Sequence, residues 1–179
     1  MVLEFNKIHD TASQTQGSAK QQSTKKRVGA DSKTTTDQMK NNPVDQEPAD
    51  SFVKNTNGII VSALPTYLPE RSEPENAVFA HSYRIQIENS GAVTAQLINR
   101  HWRVVSGGKQ IADVKGEGVI GEQPVLQPGE TFEYESWTVV KDPIGSMVGT
   151  YTFVTEKGDF FDVEIPEFPL IHIDDMTVH

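Results

Sequence analysis

The chain has 179 residues, a formal charge of -9 and no cysteine. That length suits one domain with an appendage better than two full domains, and the lack of cysteine excludes disulfides, thiolate metal sites and cysteine nucleophiles. The acidic balance repels phosphate backbones, so nucleic acid is not the expected partner. No apolar run approaches membrane-spanning length, so no membrane association is expected. The start, Met1-Val2-Leu3-Glu4-Phe5-Asn6, has no apolar secretion core, and a cytoplasmic location is expected.

The first fifty residues hold one aromatic, Phe5, with seven basic and seven acidic residues. The remainder holds seven of the eight Phe, both Trp, all four Tyr and the entire net charge. Only that part can bury enough apolar surface to offset the entropy of ordering, about 1–2 kcal/mol per residue. Residues 1–52 therefore read as a disordered polar tail, 53–174 as a folded domain and 175–179 as a flexible end. Lys25-Lys26-Arg27 in the tail reads as a basic cluster of the kind mixed-charge tails carry.

From Ile59 onward the apolar period is two. Ile59-Ile60-Val61 opens a stretch ended by Pro65, and Tyr67-Leu68-Pro69 to Pro74 is a proline-bearing loop. Phe79, His81, Tyr83, Ile85 and Ile87 alternate with Ala80, Ser82, Arg84, Gln86 and Glu88, predicting a strand with one wet face. Ile98, Trp102 and Val104 continue the pattern to a hairpin turn at Ser106-Gly107-Gly108-Lys109, from which Ile111–Val114 returns. Leu126-Gln127-Pro128-Gly129-Glu130-Thr131-Phe132 has turn chemistry between two core anchors. Phe132 and Tyr134 then alternate with Glu133, Glu135 and Trp137. Tyr151 and Phe153 precede a turn at Glu156-Lys157-Gly158-Asp159, and Phe161, Val163 and Ile165 return from it to a stop at Pro166. About seven or eight short strands and no helical repeat predict an all-β, immunoglobulin- or fibronectin-III-like antiparallel sandwich.

Several motifs then narrow the reading. Tyr67-Leu68-Pro69-Glu70-Arg71-Ser72, Pro74-Glu75-Asn76 and Arg100-His101-Trp102 precede Gly116-Glu117-Gly118-Val119-Ile120-Gly121-Glu122-Gln123-Pro124-Val125-Leu126 and Gly145-Ser146-Met147-Val148-Gly149-Thr150-Tyr151. In this order they resemble the ApaG domain family over roughly Asn55 to Leu170, with the tail as a departure from the usual short bacterial form. The resemblance implies a fibronectin-III-like sandwich and a bacterial connection to cobalt and magnesium homeostasis and to diadenosine tetraphosphate metabolism. It also implies a role as an interaction module in larger eukaryotic proteins, and it brings no catalytic activity with it.

Gly116-x-Gly118-x-x-Gly121 spells a dinucleotide fingerprint, but Pro124 and Pro128 leave no room for the helix that a Rossmann unit needs. The glycines can instead serve turns or close strand crossings, or offer backbone N–H groups to an anion. Gly116, Gly118 and Gly121, with Arg100 and Lys115, are thus the candidate site for pyrophosphate or a nucleotide. On its strand Trp102 is expected in the core, while Trp137 is the candidate interface residue for a protein partner. Exposed strand edges also permit a homodimer. Glu133 and Glu135 pattern as a solvent face, and the sequence places no histidine beside Ser136, Thr138 or Ser146, so no catalytic residue is assigned. The five histidines show no ligand spacing, and His172 with Asp174 and Asp175 reads as a solvated cluster. No metal ligand or cofactor is expected.

Overall fold

A computed structural model describes residues 51–173. Apart from Ser51 and Phe52, the expected tail lies outside the described residues, as does the expected flexible end over 175–179. The chain forms β1 (Phe52–Thr56), β2 (Ile59–Tyr67), β3 (Phe79–Asn89), β4 (Ala95–Ser106), β5 (Lys109–Glu117), β6 (Val125–Leu126), β7 (Thr131–Val140), β8 (Ile144–Thr155) and β9 (Phe160–Ile171). Two single 3-10 turns, Pro69–Arg71 and Pro74–Asn76, interrupt the β2–β3 connection. One sheet runs β1-β2-β3-β7 and the other β5-β4-β8-β9, with β6 added beside β4. All pairings are antiparallel. The expected sandwich is present, with two strands beyond those read from the sequence, β1 and the two-residue β6.

β1 and β2 are joined by Asn57-Gly58, both at positive φ (52° and 87°), the turn whose twist matches a two-residue hairpin. Pro65 does not end β2 as expected. β1 covers β2 only as far as Ala63, so at Pro65 the missing N–H faces the open side. β9 likewise continues through Pro166 and Pro169 because it is the last strand of its sheet; Pro166 falls where the register shifts opposite Val148.

β4 carries the largest departure from simple alternation. Its register against β8 shifts between Leu97 and Asn99. Leu97 is buried, and beyond the shift the inward positions are Arg100, Trp102 and Val104. Ile98, expected inside, is the residue displaced. β3 also departs at its start, where Ala80 and Ser82 on the expected wet face are buried. The loop after β2 folds over them: Leu68 N–H donates to Ala80 O and Ala80 N–H to Ser72 Oγ, both at 2.9 Å.

The core closes around Trp102, which is 1% exposed. Tyr83 from the facing sheet lies 5.7 Å away between ring centres, Phe168 6.0 Å and Tyr151 6.2 Å, the last two edge-on. Both sheets contribute, so this cluster ties the layers together. Trp102→Ala should cost about 3–5 kcal/mol. Urea unfolding should show this as a lower midpoint at unchanged slope.

Candidate functional site

Arg100 and Gly116 are register partners on the inward face of β4 and β5. A Cβ on Gly116 would come within 3.1 Å of the Arg100 guanidinium, so the glycine is the berth in which that group lies. Arg100 Nη1 donates to the carbonyls of Glu117 and Gly118, each at 2.7 Å. The chain then turns back, with Val119 and Glu122 exchanging two 2.8 Å backbone bonds across Ile120 (φ 46°) and Gly121 (φ 80°). Gly118, at φ 56°, presses against the Glu122 carbonyl, where no side chain fits. The glycine motif therefore makes a strand end and a tight turn, and it presents two carbonyls to a cation.

Lys115 points the other way. It is exposed on the outer face of the sheet, in register with His101. Even so, Arg100, Lys115 and Gly116 all border one open concavity of about 460 Å³, shared with Asn99, His101, Glu117, Thr150, Thr152 and Asp162. Gly118 and Gly121 are not among its lining residues. His101 on its wall meets Asp113, which does not line it, with Nε2 to Oδ1 at 2.9 Å, and within it Thr152 donates to Asp162 at 2.8 Å. The sequence reading did not single out Asn99, Thr150 or Thr152. Their shared face shows only when β4 and β8 are paired.

Trp137 is half-buried on the outer face of the other sheet, as its place opposite Tyr134 predicts, with the Arg71 guanidinium 5.3 Å from its ring centre. Its indole N–H is buried without a hydrogen-bond partner. β7, which carries Trp137, pairs with β3 without interruption from Thr131 to Val140. Along its other side no described strand pairs with it. Glu133 and Glu135 share Trp137's face and approach Arg84 at 3.4 and 3.7 Å, exposed pairs of little energetic weight. Ser136 and Thr138 point into the core, and Ser146 donates to Glu167 at 2.8 Å. Among the described residues no three His, Asp or Glu side chains gather into a group that could hold a metal ion.

The interior is polar in two places. The Tyr134 and Tyr151 hydroxyls share a 2.6 Å hydrogen bond; burial pushes both groups, and Tyr83, upward in pKa, while the Arg100 charge pulls each back. At the end of the sandwich His81 is 1% exposed, opposite Thr138. Tyr67 packs edge-on to His81 at 5.2 Å and stacks on His172 at 4.3 Å. Neither His81 nitrogen nor the Thr138 hydroxyl makes a well-aligned hydrogen bond. Burial chiefly, with His172 adding, holds His81 below its ordinary 6.5, although the nearby Ile171 and Phe79 backbone opposes the shift.

Two measurements follow from this geometry. Gly118→Ala combines positive φ with a carbonyl collision and should cost about 2–4 kcal/mol, whereas Gly121→Ala, with open space around it, should cost only about 1–2 kcal/mol. Thermal unfolding of the two variants would separate them. For His81 the unfolded chain takes up a proton first. Stability from its neutral form is full above 6.5 and is lost as pH falls from there toward the folded value. Unfolding free energy should therefore drop between neutral pH and pH ~5, and His81→Gln should flatten that dependence.

The ApaG domain family model matches residues 69–155. The Protein ApaG of Dechloromonas aromatica is 47% identical over 112 residues, covering 63% of this chain and 88% of that relative. Its counterpart from Nitrosomonas europaea is 49% identical over the same length. The crystal structure of a Bordetella pertussis protein named ApaA superposes with a TM-score of 0.63 at 44% identity, covering 65% of this chain and 94% of the other. The loop from Pro69, the Arg100–Trp102 segment and the glycine turn all lie inside the matched residues, and the chain belongs to the ApaG family.

Proposed function

We propose that this protein is a non-catalytic binding module that takes up an extended segment of a protein partner along β7, with Trp137 as the side-chain anchor. The observation that carries this reading is the free side of β7. Ten residues without a bulge or a proline leave alternate backbone N–H and C=O groups without a strand beside them among the described residues. Such an edge is a template for strand addition. Trp137 stands next to it, half-buried and held flat by Arg71, so little side-chain entropy would be lost on contact. The acidic pair Glu133 and Glu135 on the same face favours a segment with basic side chains. No helix among the described residues is long and apolar enough to cross a membrane.

A second reading has its own support. Arg100, Lys115 and Gly116 border one concavity, which gives a small anion such as pyrophosphate or a nucleotide a place to sit. Glu117 and Asp162 border it as well, and Arg100 is already bonded to two carbonyls, which weakens this site for anions.

Labelled protein titrated with pyrophosphate and, separately, with basic β-strand peptides distinguishes the two. Strand addition predicts amide shifts confined to Thr131–Val140 and a loss of affinity of about tenfold or more in Trp137→Ala, with the fold intact. Shifts only around Lys115–Gly121 on pyrophosphate addition would favour the anion reading. Peptide affinity unchanged in Trp137→Ala would sink the first.

A further inference from the structure

The outer face of the β5-β4-β8-β9 sheet is built differently at its two ends. Toward the glycine turn it is the polar concavity already described. Toward the other end β8 presents Ile144, Ser146 and Val148, flanked by Val105 of β4 and by Pro169 and Ile171 of β9. Among the described residues, three of the seven exposed large hydrophobics, Ile144 (65%), Ile171 (44%) and Ile173 (82%), lie at this corner. β8 has no charged residue between Ile144 and Thr155. The charges stand on the strands beside it, and they differ in sign.

Arg103 of β4 and Glu167 of β9 flank Val148 at the same height. Arg103 is the register partner of Val148, and Glu167 lies in the shifted segment across from it. Both are exposed, and Arg103 makes no ion pair with another described residue. Glu167 is pre-set, because Ser146 Oγ donates to its Oε1 at 2.8 Å and leaves the second oxygen open. A two-fold axis along β8 and in the plane of the face would place β4 of one copy over β9 of the other. Arg103 of each copy would then meet Glu167 of its mate, twice, on either side of a Val148–Val148 contact, at the ~10 Å spacing of packed sheets.

We infer that this half-face is a self-association surface, and that its occupant is a second copy of this chain. The far end defines where the contact stops. There the same operation would bring Glu117 toward Asp162, two like charges, so the copies splay apart and leave the concavity open. The neighbouring acid Glu164 is already paired with Lys54 at 2.7 Å and takes no part. The patch is only three side-chain rows deep, smaller than the ~800 Å² per partner of a standard interface. The dimer is therefore weak and concentration-dependent.

Sedimentation equilibrium of the full chain over a wide concentration range tests this. The wild type should show a reversible monomer–dimer equilibrium. Arg103→Glu and Glu167→Arg should each weaken it about tenfold, since symmetry duplicates every repulsion. The double variant, with the charges exchanged, should recover it. Circular dichroism and melting should stay unchanged, since both sites are exposed. A wild type that stays monomeric throughout, single variants that dimerise normally, or a double variant that fails to recover would each overturn the inference. Trp137→Ala should leave dimerisation intact; if it abolished the dimer, the association would run through β7 instead. Peptide binding at β7 stands or falls separately, because it is read in a different assay on a different sheet.

Discussion

The phase of β4 is the constraint on which the rest of this molecule depends. Leu97 is buried, and strict alternation from it would carry Asn99, His101 and Arg103 inward and push Trp102 and Val104 into solvent. One register shift between Leu97 and Asn99 reverses that outcome. It seats Trp102 among aromatic rings from both sheets, turns Arg100 toward the Gly116 berth, and leaves His101 and Arg103 on the outer face. The core, the glycine turn, the polar concavity and the charge pattern beside β8 all inherit their positions from that single extra residue.

Arg100 shows how closely stability and candidate function are interwoven. Its charge is held inside the sandwich by two carbonyls and stands near three buried tyrosines. A cation in that place is stabilised by oxygens converging on it, which is why the turn closes over it with carbonyls inward and needs glycine where the guanidinium lies. A motif that spells phosphate recognition in another fold here organises the end of a strand. The concavity beside it is left with a mixed set of charges.

The strand edges divide into protected and open ones. β1 and β9 lie next to each other, where Lys54 pairs with Glu164 and Thr56 Oγ1 accepts from the Glu164 N–H, and β9 carries two prolines. β7 has neither proline nor bulge, only the charges of Glu133 and Glu135 on one face. Edges left long and regular invite pairing; β5 is also a free edge but carries Lys109, Asp113, Lys115 and Glu117, so the longer and less charged β7 is the edge that points to a partner. The outer face across β8 is a separate surface, flat, uncharged along its middle and flanked by opposite charges.

Period-two alternation, turn residues and the absence of helical repeats determined the antiparallel sandwich, because those signals are local and each strand carries its own. The turns at Gly107-Gly108, Gly129 and Gly158 were readable for the same reason, all at positive φ where glycine belongs. The Asn57-Gly58 hairpin was just as readable and was missed, since β1 has a mostly exposed pattern that does not look like a strand. Pro65 and Pro166 were misread as strand ends because their tolerance depends on which neighbour is absent, and neighbours are not local. Alternation along its own strand set Trp137 on the face opposite Tyr134, yet Arg71 lying over it was invisible, coming from a loop more than sixty residues earlier. Only the tertiary structure decided which way Arg100 and Lys115 point, which residues share the concavity, and that Arg103 and Glu167 flank one valine. Each of these rests on register between distant strands, which the sheets set through hydrogen bonds and a bulge that no local pattern announces.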